Sequence, residues 1–497
     1  MLTRALRALR PSHAHSAFSA TVVLMVSVFL SRIIGLVRVK YIMWLFGSGM
    51  QADALNAAFV LPDMISYFLV GGAASITFVT ILTKYRETGR EKEGEQSLSV
   101  ILTTMYLVLG GAIVLAEIFA PWYVRWWFNG FDAEKAALSV RLTRILLPPA
   151  KKNNCAGNRM RVSQLGVSSL AIGTVAGAFF GPFFLNWFFA RREGTRYRPI
   201  LDWHDEGLRE WVRLSLPLMA GASLVTADSW IIAHFASRIG GAVSQFNYAK
   251  QFFTAPMAVL AQAAGAASMP FFASLWAKEN RFEFANVVAD SVSRVACLGL
   301  LAASAMIALG KPAIDLVFTG GRFSVFDAAQ CAAYFSVFSI SMSLWSAQAI
   351  YSRAFYAAGN TFTPMAAGTI VTLVSLPIYM GLFHAFGAMG LAIASNIGIA
   401  LQTMAIAGLL HQRHMVSLLS LDYRELWRCL AAALAGGLAT WIVFSWLAGI
   451  VIHEHRKWHD LVILLAGGLL WTGISMWVLK KTGSALPRVI MKRMRPA

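Results

Sequence analysis

The chain has few charged residues and few cysteines, and each shortage excludes a class of protein. Only 13% of its 497 residues are charged, whereas soluble globular domains carry about 25%. With 57% hydrophobic residues and a mean hydropathy of +0.60, the composition is typical of a polytopic membrane protein. No Cys-x-x-Cys pair occurs, which argues against a metal site or a disulfide framework. The cysteines are Cys155, Cys297, Cys331 and Cys429.

Acidic residues are also scarce, with 24 Asp and Glu against 43 Lys and Arg and a net charge of +19. In a soluble chain this excess would suggest nucleic-acid binding. Here the basic residues cluster in short connections between apolar runs, so they indicate membrane topology and contact with anionic lipids rather than nucleic acid. A membrane-embedded transferase would need clustered acids or histidines at a membrane face, such as a DDxxD-like pair, and the sequence has no such pair. His453, His455 and His459 share one connection, and we interpret them as part of a solvated loop rather than a metal site. These observations argue against an enzyme.

Apolar windows long enough to span a bilayer predict an all-α membrane protein with about thirteen transmembrane helices. No connection between them is long enough to hold a soluble catalytic domain. The windows are 17–46, 54–83, 97–121, 134–150, 165–190, 212–238, 245–277, 290–318, 326–357, 363–386, 388–410, 427–452 and 460–479.

The positive-inside rule tests this count, because basic connections should lie on the cytoplasmic side. An even number of windows separates each neighbouring pair of basic connections except one. Between 151–161 and 191–213 lies the single window 165–190, and the stretch 151–164 is polar and unlike the rest of the chain. We infer that one helix is missing near 151–164. The alternative is that 134–150 is not a true span, which would also restore parity.

A short internal repeat suggests two similar halves. Phe59-Val60-Leu61-Pro62 precedes a Gly-Gly-Ala-Ala-Ser run at 71–75, and Thr254-Ala255-Pro256 precedes Gly-Ala-Ala-Ser at 265–268. Repeated halves around a site near the membrane midplane are a common transporter plan.

Arg32 and Arg38 both lie within the first predicted span, 17–46. At 1.5 Å per residue, Arg32 lies roughly 22 Å into the bilayer. Arginines at membrane depth usually face a bundle interior or a wet cavity, so this pair is a functional signal. The alternatives are that Arg38 reaches the outer interface and that Arg32 pairs with a buried acid.

Five motifs, taken together and in order, resemble the MurJ (MviN) family of lipid II flippases, part of a wider superfamily of multidrug, oligosaccharidyl-lipid and polysaccharide exporters. The similarity covers most of the chain apart from 151–164. The motifs are Ser-Arg-Ile-Ile-Gly-Leu-Val-Arg at 31–38, Phe-Gly-Ser-Gly-Met-Gln-Ala-Asp-Ala at 46–54, Phe-Val-Leu-Pro-Asp at 59–63, Gly-Arg-Phe-Ser-Val-Phe-Asp at 321–327, and Ala-Phe-Tyr-Ala-Ala-Gly-Asn-Thr-Phe-Thr-Pro at 354–364.

The resemblance implies two helical lobes around a central cavity and two further C-terminal helices. On that plan the N-lobe is 1–190, the C-lobe 191–411, and the C-terminal pair with its basic tail 412–497. Members of the family have fourteen spans, so thirteen here would fit the loss of the fifth. The implied location is the bacterial cytoplasmic membrane, with both termini cytoplasmic if the missing helix is compensated.

The implied activity is alternating-access transfer of undecaprenyl-pyrophosphate-linked peptidoglycan precursor from the inner to the outer leaflet. It needs no cofactor, the driving force being the membrane potential or a cation gradient, and its partners would be the precursor, membrane lipids and the cell-wall synthesis machinery. The alternatives are a flippase for O-antigen or exopolysaccharide lipids, a drug/cation antiporter of the same superfamily, or an inactive remnant.

Arg32 and Arg38 match the family's two cavity arginines on the first helix, which implies that they bind the pyrophosphate, since guanidinium groups suit phosphate oxygens. Asp53 matches a family acid with a role in gating or in orienting an arginine. Its alternative is an acid favoured by the dipole at its own helix N-terminus.

Other positions depart from the family pattern. Ser66 stands where a further cavity arginine is expected, and Gln251 stands at another arginine position, with Lys250 beside it. Lys250 is either the replacement cation or a lysine near a helix end. Ser375 and Tyr379 replace Asn or Asp in a C-lobe cation site.

Asp228 lies within an apolar window, and it is the best remaining candidate for an ion or proton ligand. The alternative is a satisfied structural carboxylate. Arg322 and Asp327 are expected to be turn and cap residues at the outer side.

Overall fold

A computed structural model of the chain describes residues 34–70, 85, 89–147, 167–178, 184, 188, 191–192, 197–221, 223–451 and 457–487. The described residues are overwhelmingly helical, and the β-structure among them is a single bridge between Gly320 and Phe323. Arg32 and the 151–164 stretch lie outside the described residues, so the prediction of a missing helix stays a prediction.

The first described helices belong to the predicted N-lobe. They are α1 (34–46), α2 (Met50–Ile65) with a π-helix at Ser66–Val70, α3 (Glu91–Trp127), α4 (Ala133–Leu146) and α5 (Val167–Ala178).

The next helices belong to the predicted C-lobe. They are α6 (Glu206–Ala220), α7 (Leu224–Ala236), α8 (Ala242–Met257) with a π-helix at Ala258–Ala263, α9 (Ala264–Ala277), α10 (Arg281–Phe318), α11 (Val325–Ile340), α12 (Met342–Ala357) and α13 (Phe362–Gln412). The last two are α14 (Tyr423–Val451) and α15 (Lys457–Lys481).

Five described helices are long and apolar enough to cross a membrane, and the bent pair α11 and α12 would make a sixth span. The five are α3, α10, α13, α14 and α15. The protein is therefore an all-α polytopic membrane protein, as its composition predicted. The total of thirteen spans stays a prediction, because several predicted windows extend outside the described residues.

Two predicted windows are interrupted in the structure. The window 212–238 is divided between α6 and α7, and Ser223 caps α7 by accepting a bond from the Val225 amide. The window 326–357 bends by 48° between α11 and α12, where the Ser341 hydroxyl bonds to the Phe338 carbonyl at 2.9 Å. Hydropathy runs on through both breaks, because the interrupting residues are small. The predicted separation of 363–386 from 388–410 is confirmed, since Gly387 has a non-helical backbone (φ 58°) inside α13.

The internal repeat suggested by the sequence has a structural counterpart in α2 and α8. Each helix follows a glycine with positive φ, Gly47 (61°) and Gly241 (79°), and each contains one proline, Pro62 and Pro256. Each then passes into a π-helix. The same number of residues separates glycine from proline in both, so the two helices are built on one pattern.

Helix α10 is the main support of the C-terminal part, where it packs against α11, α12, α14 and α15. The Ser304 hydroxyl on α10 donates to the Ala433 carbonyl of α14 and accepts from Trp471 Nε1 of α15 at 3.1 Å. The C-terminal helix pair is therefore held to the bundle by interhelical hydrogen bonds, which help helices to associate within a membrane.

Three described basic connections of the C-terminal part, near 278–281, 411–425 and 480–487, lie together at one end of the bundle, which we call the basic end. Met415 and Val416 pack there against Phe272 and Phe284, next to the connection between α9 and α10. Glu425 near the start of α14 accepts bonds from the Ser484 hydroxyl and the amides of Ala485 and Leu486. The chain after α15 is thus tied to the start of α14.

We expect Glu425→Ala to lower the thermal unfolding midpoint of the detergent-solubilised protein. Glu425 is 8% exposed, and its removal leaves several donors without their acceptor, a loss of about 1–3 kcal/mol. The matched control is Glu134→Ala in the exposed first turn of α4, where a dipole contribution of about 0.3–1 kcal/mol is at stake. Equal shifts for both variants would contradict this role.

Candidate functional site

The most elaborate polar cluster among the described residues joins the two halves of the chain around Asp53. One Asp53 oxygen accepts bonds from the Ser244 amide (2.9 Å) and hydroxyl (2.7 Å). The other accepts from the Gly241 amide at 2.9 Å and from Lys135 Nζ at 3.3 Å. Asp53 is fully buried, and Lys135 is 9% exposed. We call these four residues the Asp53 lock.

The local sequence of α8 explains why this cluster forms. The first amides of a helix need acceptors that the helix itself cannot supply. Gly241 at the N-cap has no side chain to supply one, so Asp53 on α2 provides the oxygen. A carboxylate is also favoured there by the partial positive charge of the helix N-terminus. Asp53 is therefore the cap of a helix in the other half of the chain.

A second group of contacts surrounds the lock. The Ser48 hydroxyl donates to the Asp327 carboxylate, which also accepts from Gln245 Nε2 at 3.1 Å. The Tyr248 hydroxyl donates to the Gly47 carbonyl at 3.1 Å. Asp327 also forms a capping box with Ser324 at the start of α11, which confirms its predicted cap role. The α1–α2 turn is thus bonded to both α8 and α11.

Close backbone approach at this end requires glycine. A Cβ on Gly241 would lie 2.7 Å from the Ser48 carbonyl oxygen, and one on Gly47 would lie 2.5 Å from the Arg322 carbonyl oxygen. The Arg322 amide donates to the Trp44 carbonyl at 2.9 Å. Arg322 lies in the turn before α11, as predicted, and the two halves meet here backbone to backbone.

The end of α3 adds a third set of contacts. The His234 imidazole Nδ1 bonds to the Trp127 carbonyl at 2.6 Å, and Arg238 Nε bonds to Asn129 Oδ1 at 3.3 Å. Together with the lock, these contacts close one end of the molecule. We call it the Asp53 end, and it lies opposite the basic end.

Just beneath the lock lies a cavity of about 370 Å³. Asn56 and Asn247 on its wall each follow a lock residue by less than one helical turn, or ~4.5 Å of rise. Its wall comes mainly from α2, α7 and α8, so it lies between the two predicted lobes. The main polar side chains on the wall are Asn56, Asp63, Asp228, Asn247, Lys250 and Gln251.

Asp228 and Lys250 form an ion pair on the C-lobe side of this cavity. Asp228 is 3% exposed, and it also accepts bonds from the Tyr379 hydroxyl and, at 3.0 Å, from the Ser395 hydroxyl. These contacts match the alternative interpretation of Asp228, a satisfied carboxylate, and they place the Lys250 ammonium in a pair rather than free in the cavity.

The other predicted site residues are distributed around this centre. Arg38 is exposed on α1, within electrostatic range of Asp63 on the cavity wall. Gln251 lines the cavity, whereas Ser66 is exposed at the start of the first π-helix. Ser375 is buried and donates to the Val371 carbonyl at 2.7 Å. The binding roles of these residues stay predictions.

Sequence reasoning missed Lys135 and Ser244. Lys135 follows a typical helix cap, Asp132, so it resembled an interfacial lysine. Ser244 is a small polar residue in an apolar window and carried no signal by itself. The only available clue was the Asp53 motif, which pointed to a gate without naming its partners.

Comparisons of the sequence with known proteins agree on one family. The family model described as "Lipid II flippase MurJ" matches residues 42–150 and 156–460. It leaves out 151–155, inside the stretch that the sequence marks as unusual. The chain is 24% identical over 461 residues to the probable lipid II flippase MurJ of Vibrio cholerae, covering 83% of this chain and 85% of that protein.

Two other relatives carry the same description. The Thermotoga maritima protein is 24% identical over 408 residues, and the match covers 77% of this chain and 83% of that protein. The Rhizobium tropici protein is 22% identical over 512 residues, and the match covers 94% of this chain and 95% of that protein.

Two solved structures share the fold. The lipid II flippase MurJ in an inward closed conformation has a TM-score of 0.69 at 17% identity, covering 92% of this chain and 99% of that one. An inward-facing multidrug resistance MATE family transporter of the MOP superfamily has a TM-score of 0.61 at 18% identity, covering 76% and 94%.

We expect Asp53→Ala to destabilise the solubilised protein more than Asp53→Asn. Both substitutions leave the buried Lys135 without its counter-charge, a change that costs about 3–5 kcal/mol in buried pairs. Alanine also removes the acceptor of the α8 amides, whereas asparagine keeps an oxygen for them. The measurement is the thermal unfolding midpoint of each variant, and Asp290→Ala, in an exposed pair with Arg294, is the control. An unchanged midpoint for Asp53→Ala would show that the lock contributes nothing to stability.

Proposed function

This chain belongs to the lipid II flippase MurJ family, and we propose that it moves the undecaprenyl-pyrophosphate-linked peptidoglycan precursor from the inner to the outer leaflet of the bacterial cytoplasmic membrane. The protein is a transporter and not an enzyme. The observation that carries the proposal is a polar cavity between two similar halves, closed at one end by hydrogen bonds that join those halves.

Alternating access needs a site that opens to one side at a time. The Asp53 lock lies less than one helical turn above the cavity, so breaking it would open the cavity at that end. Because basic connections favour the cytoplasm, we assign the Asp53 end to the outside and both termini to the inside. The structure is then the state closed to the outside.

The headgroup would be held in the cavity while the polyprenyl tail stays in the bilayer. Lys250 on the cavity wall and Arg38, within electrostatic range of the wall residue Asp63, are the described cations that we assign to the pyrophosphate. Arg32 is the further candidate from the sequence. With the charge of Arg32 added, the emptied cavity would carry net positive charge, and the membrane potential would help to return it, since moving one charge across 100 mV corresponds to about 2.3 kcal/mol.

One observation keeps a second function open. Lys250 is paired with Asp228, and Arg38 lies within electrostatic range of Asp63, so the described charges in and around the cavity nearly cancel. A neutral cavity also suits a drug/cation antiporter of the wider superfamily, to which the MATE structure belongs.

We expect this chain to rescue growth of a strain depleted of its own lipid II flippase, and Arg38→Ala to abolish or strongly reduce the rescue. The control is Arg125→Ala, an exposed arginine in the last turn of α3 outside the cavity. If the unmodified chain is expressed in the membrane but does not rescue growth, the antiporter function would be favoured. Full rescue by Arg38→Ala would remove this arginine from the mechanism.

We expect a covalent link across the Asp53 end to stop transport reversibly. Asn129 and Arg238 are exposed and bonded to each other at 3.3 Å outside the lock, so Asn129→Cys/Arg238→Cys can be joined by a short cleavable bis-thiol reagent. The background carries Cys155→Ser, because Cys297, Cys331 and Cys429 are buried.

The assay is transfer of a lipid-linked precursor in proteoliposomes before linking, after linking, and after reductive cleavage. Single-cysteine variants treated alike are the controls. Transfer at the parent rate in fully linked protein would contradict alternating access at this end.

A further inference from the structure

The Asp228–Lys250 pair is built unequally, with a fixed carboxylate and a movable ammonium. Asp228 is held from both parts of α13, by Tyr379 before the Gly387 break and by Ser395 after it. Its side chain is 4% exposed, against 17% for Lys250. Lys250 reaches it on a long flexible stem from α8, and its ammonium also bonds to Ser229 Oγ at 3.2 Å.

Both members of the pair lie on the cavity wall, so an anionic headgroup in the cavity would compete with Asp228 for the same ammonium. Pyrophosphate oxygens are strong acceptors for charged donors. A small rotation of the lysine stem can exchange one partner for the other, whereas Asp228 cannot follow because two helix segments hold it.

Loss of the ammonium would leave Asp228 buried and charged. Tyr379 and Ser395 would still donate to it, but hydroxyl groups do not supply a compensating positive charge. An uncompensated carboxylate at this depth is costly, and uptake of a proton removes that cost. As a neutral acid, Asp228 can in turn donate a bond to a neighbouring hydroxyl oxygen.

We propose that Lys250 exchanges Asp228 for the pyrophosphate when the headgroup binds, and that Asp228 takes up one proton in the exchange. The proton comes from the buffered solvent that reaches the cavity, and it returns to that solvent when the ion pair reforms after release. The inference rests on the proposed function for the identity of the anion, and it adds the linkage between headgroup binding and protonation.

The groups around Asp228 support a single linked proton. Lys250 on α8 and Tyr379 on α13 are the titratable groups in contact with it, while Ser229 on α7 and Ser395 on α13 do not titrate. The other acid on the described cavity wall, Asp63 on α2, has Arg38 in electrostatic range. The exchange would therefore bring one added positive charge into the cavity with each headgroup.

The test is calorimetric titration of the full-length protein in detergent micelles with farnesyl pyrophosphate as the probe. Binding is measured at one pH in two buffers of different ionisation enthalpy, because the difference in binding enthalpy gives the number of protons taken up. We expect about one proton for the parent protein. Binding with no proton uptake, or no binding of the probe at all, would overturn the proposal.

Variants then assign the proton to Asp228. Asp228→Asn should take up no proton and should bind the probe on the order of tenfold more tightly, because Lys250 is no longer held by a charge. Lys250→Gln should bind on the order of tenfold more weakly. Asp290→Asn, which alters an exposed Asp–Arg pair on α10, is the matched control and should behave like the parent.

Other outcomes also decide the matter. If Asp228→Asn takes up the same number of protons as the parent, the proton belongs to another group and the proposal fails. If a single variant is too unstable to purify, Asp228→Asn/Lys250→Gln removes both charges together and should bind weakly with no proton uptake. If the parent protein rescues the depleted strain but binds farnesyl pyrophosphate without taking up a proton, the flippase function stands and only the proposed exchange is rejected.

Discussion

The closed end of this molecule depends on one carboxylate that caps a helix belonging to the other half. Helix α8 begins at a glycine and has no acceptor of its own for its first amides, so its N-terminus is satisfied only while α2 lies beside it. In an open state, water would replace Asp53 at those amides. Because water is a comparable acceptor at a membrane surface, the lock can hold the end closed and still open without a large penalty.

The similarity of α2 and α8 suggests how such an opening could spread through the molecule. Both helices run from the lock, along the cavity, to a π-helix beyond a proline. A π-helix and a proline each weaken the regular bonding of a helix and are frequent sites of bending. The two helices therefore have firm contacts at one end, a polar cavity along their length, and a deformable segment on the far side of it.

The sequence predicted the parts of this arrangement that depend on local chemistry. Composition predicted the all-α membrane fold, and the motif at 321–327 predicted the cap made by Asp327. The sequence identified Asp53 as a candidate site residue, but its partners lie across the bundle. Gly241, for example, is separated from it by 188 positions along the chain. Neither spacing nor propensity links positions that meet only through packing. The break before Ser223 was missed for a related reason, since hydropathy records composition and not backbone bonding.

The described charges in and around the cavity have charges of opposite sign within electrostatic range, and this bears on how a flippase can release what it binds. A lone cation at membrane depth is expensive to insert, and one that gripped a pyrophosphate without competition would be slow to let it go. Lys250 already has Asp228 as a partner, and Arg38 is within electrostatic range of Asp63. The binding free energy of a headgroup is then the difference between two ionic contacts of the same cation, one with the headgroup and one with the carboxylate in the protein, rather than the full strength of the first. An internal competitor weakens binding, but it also drives release, and a transporter needs both steps to be fast.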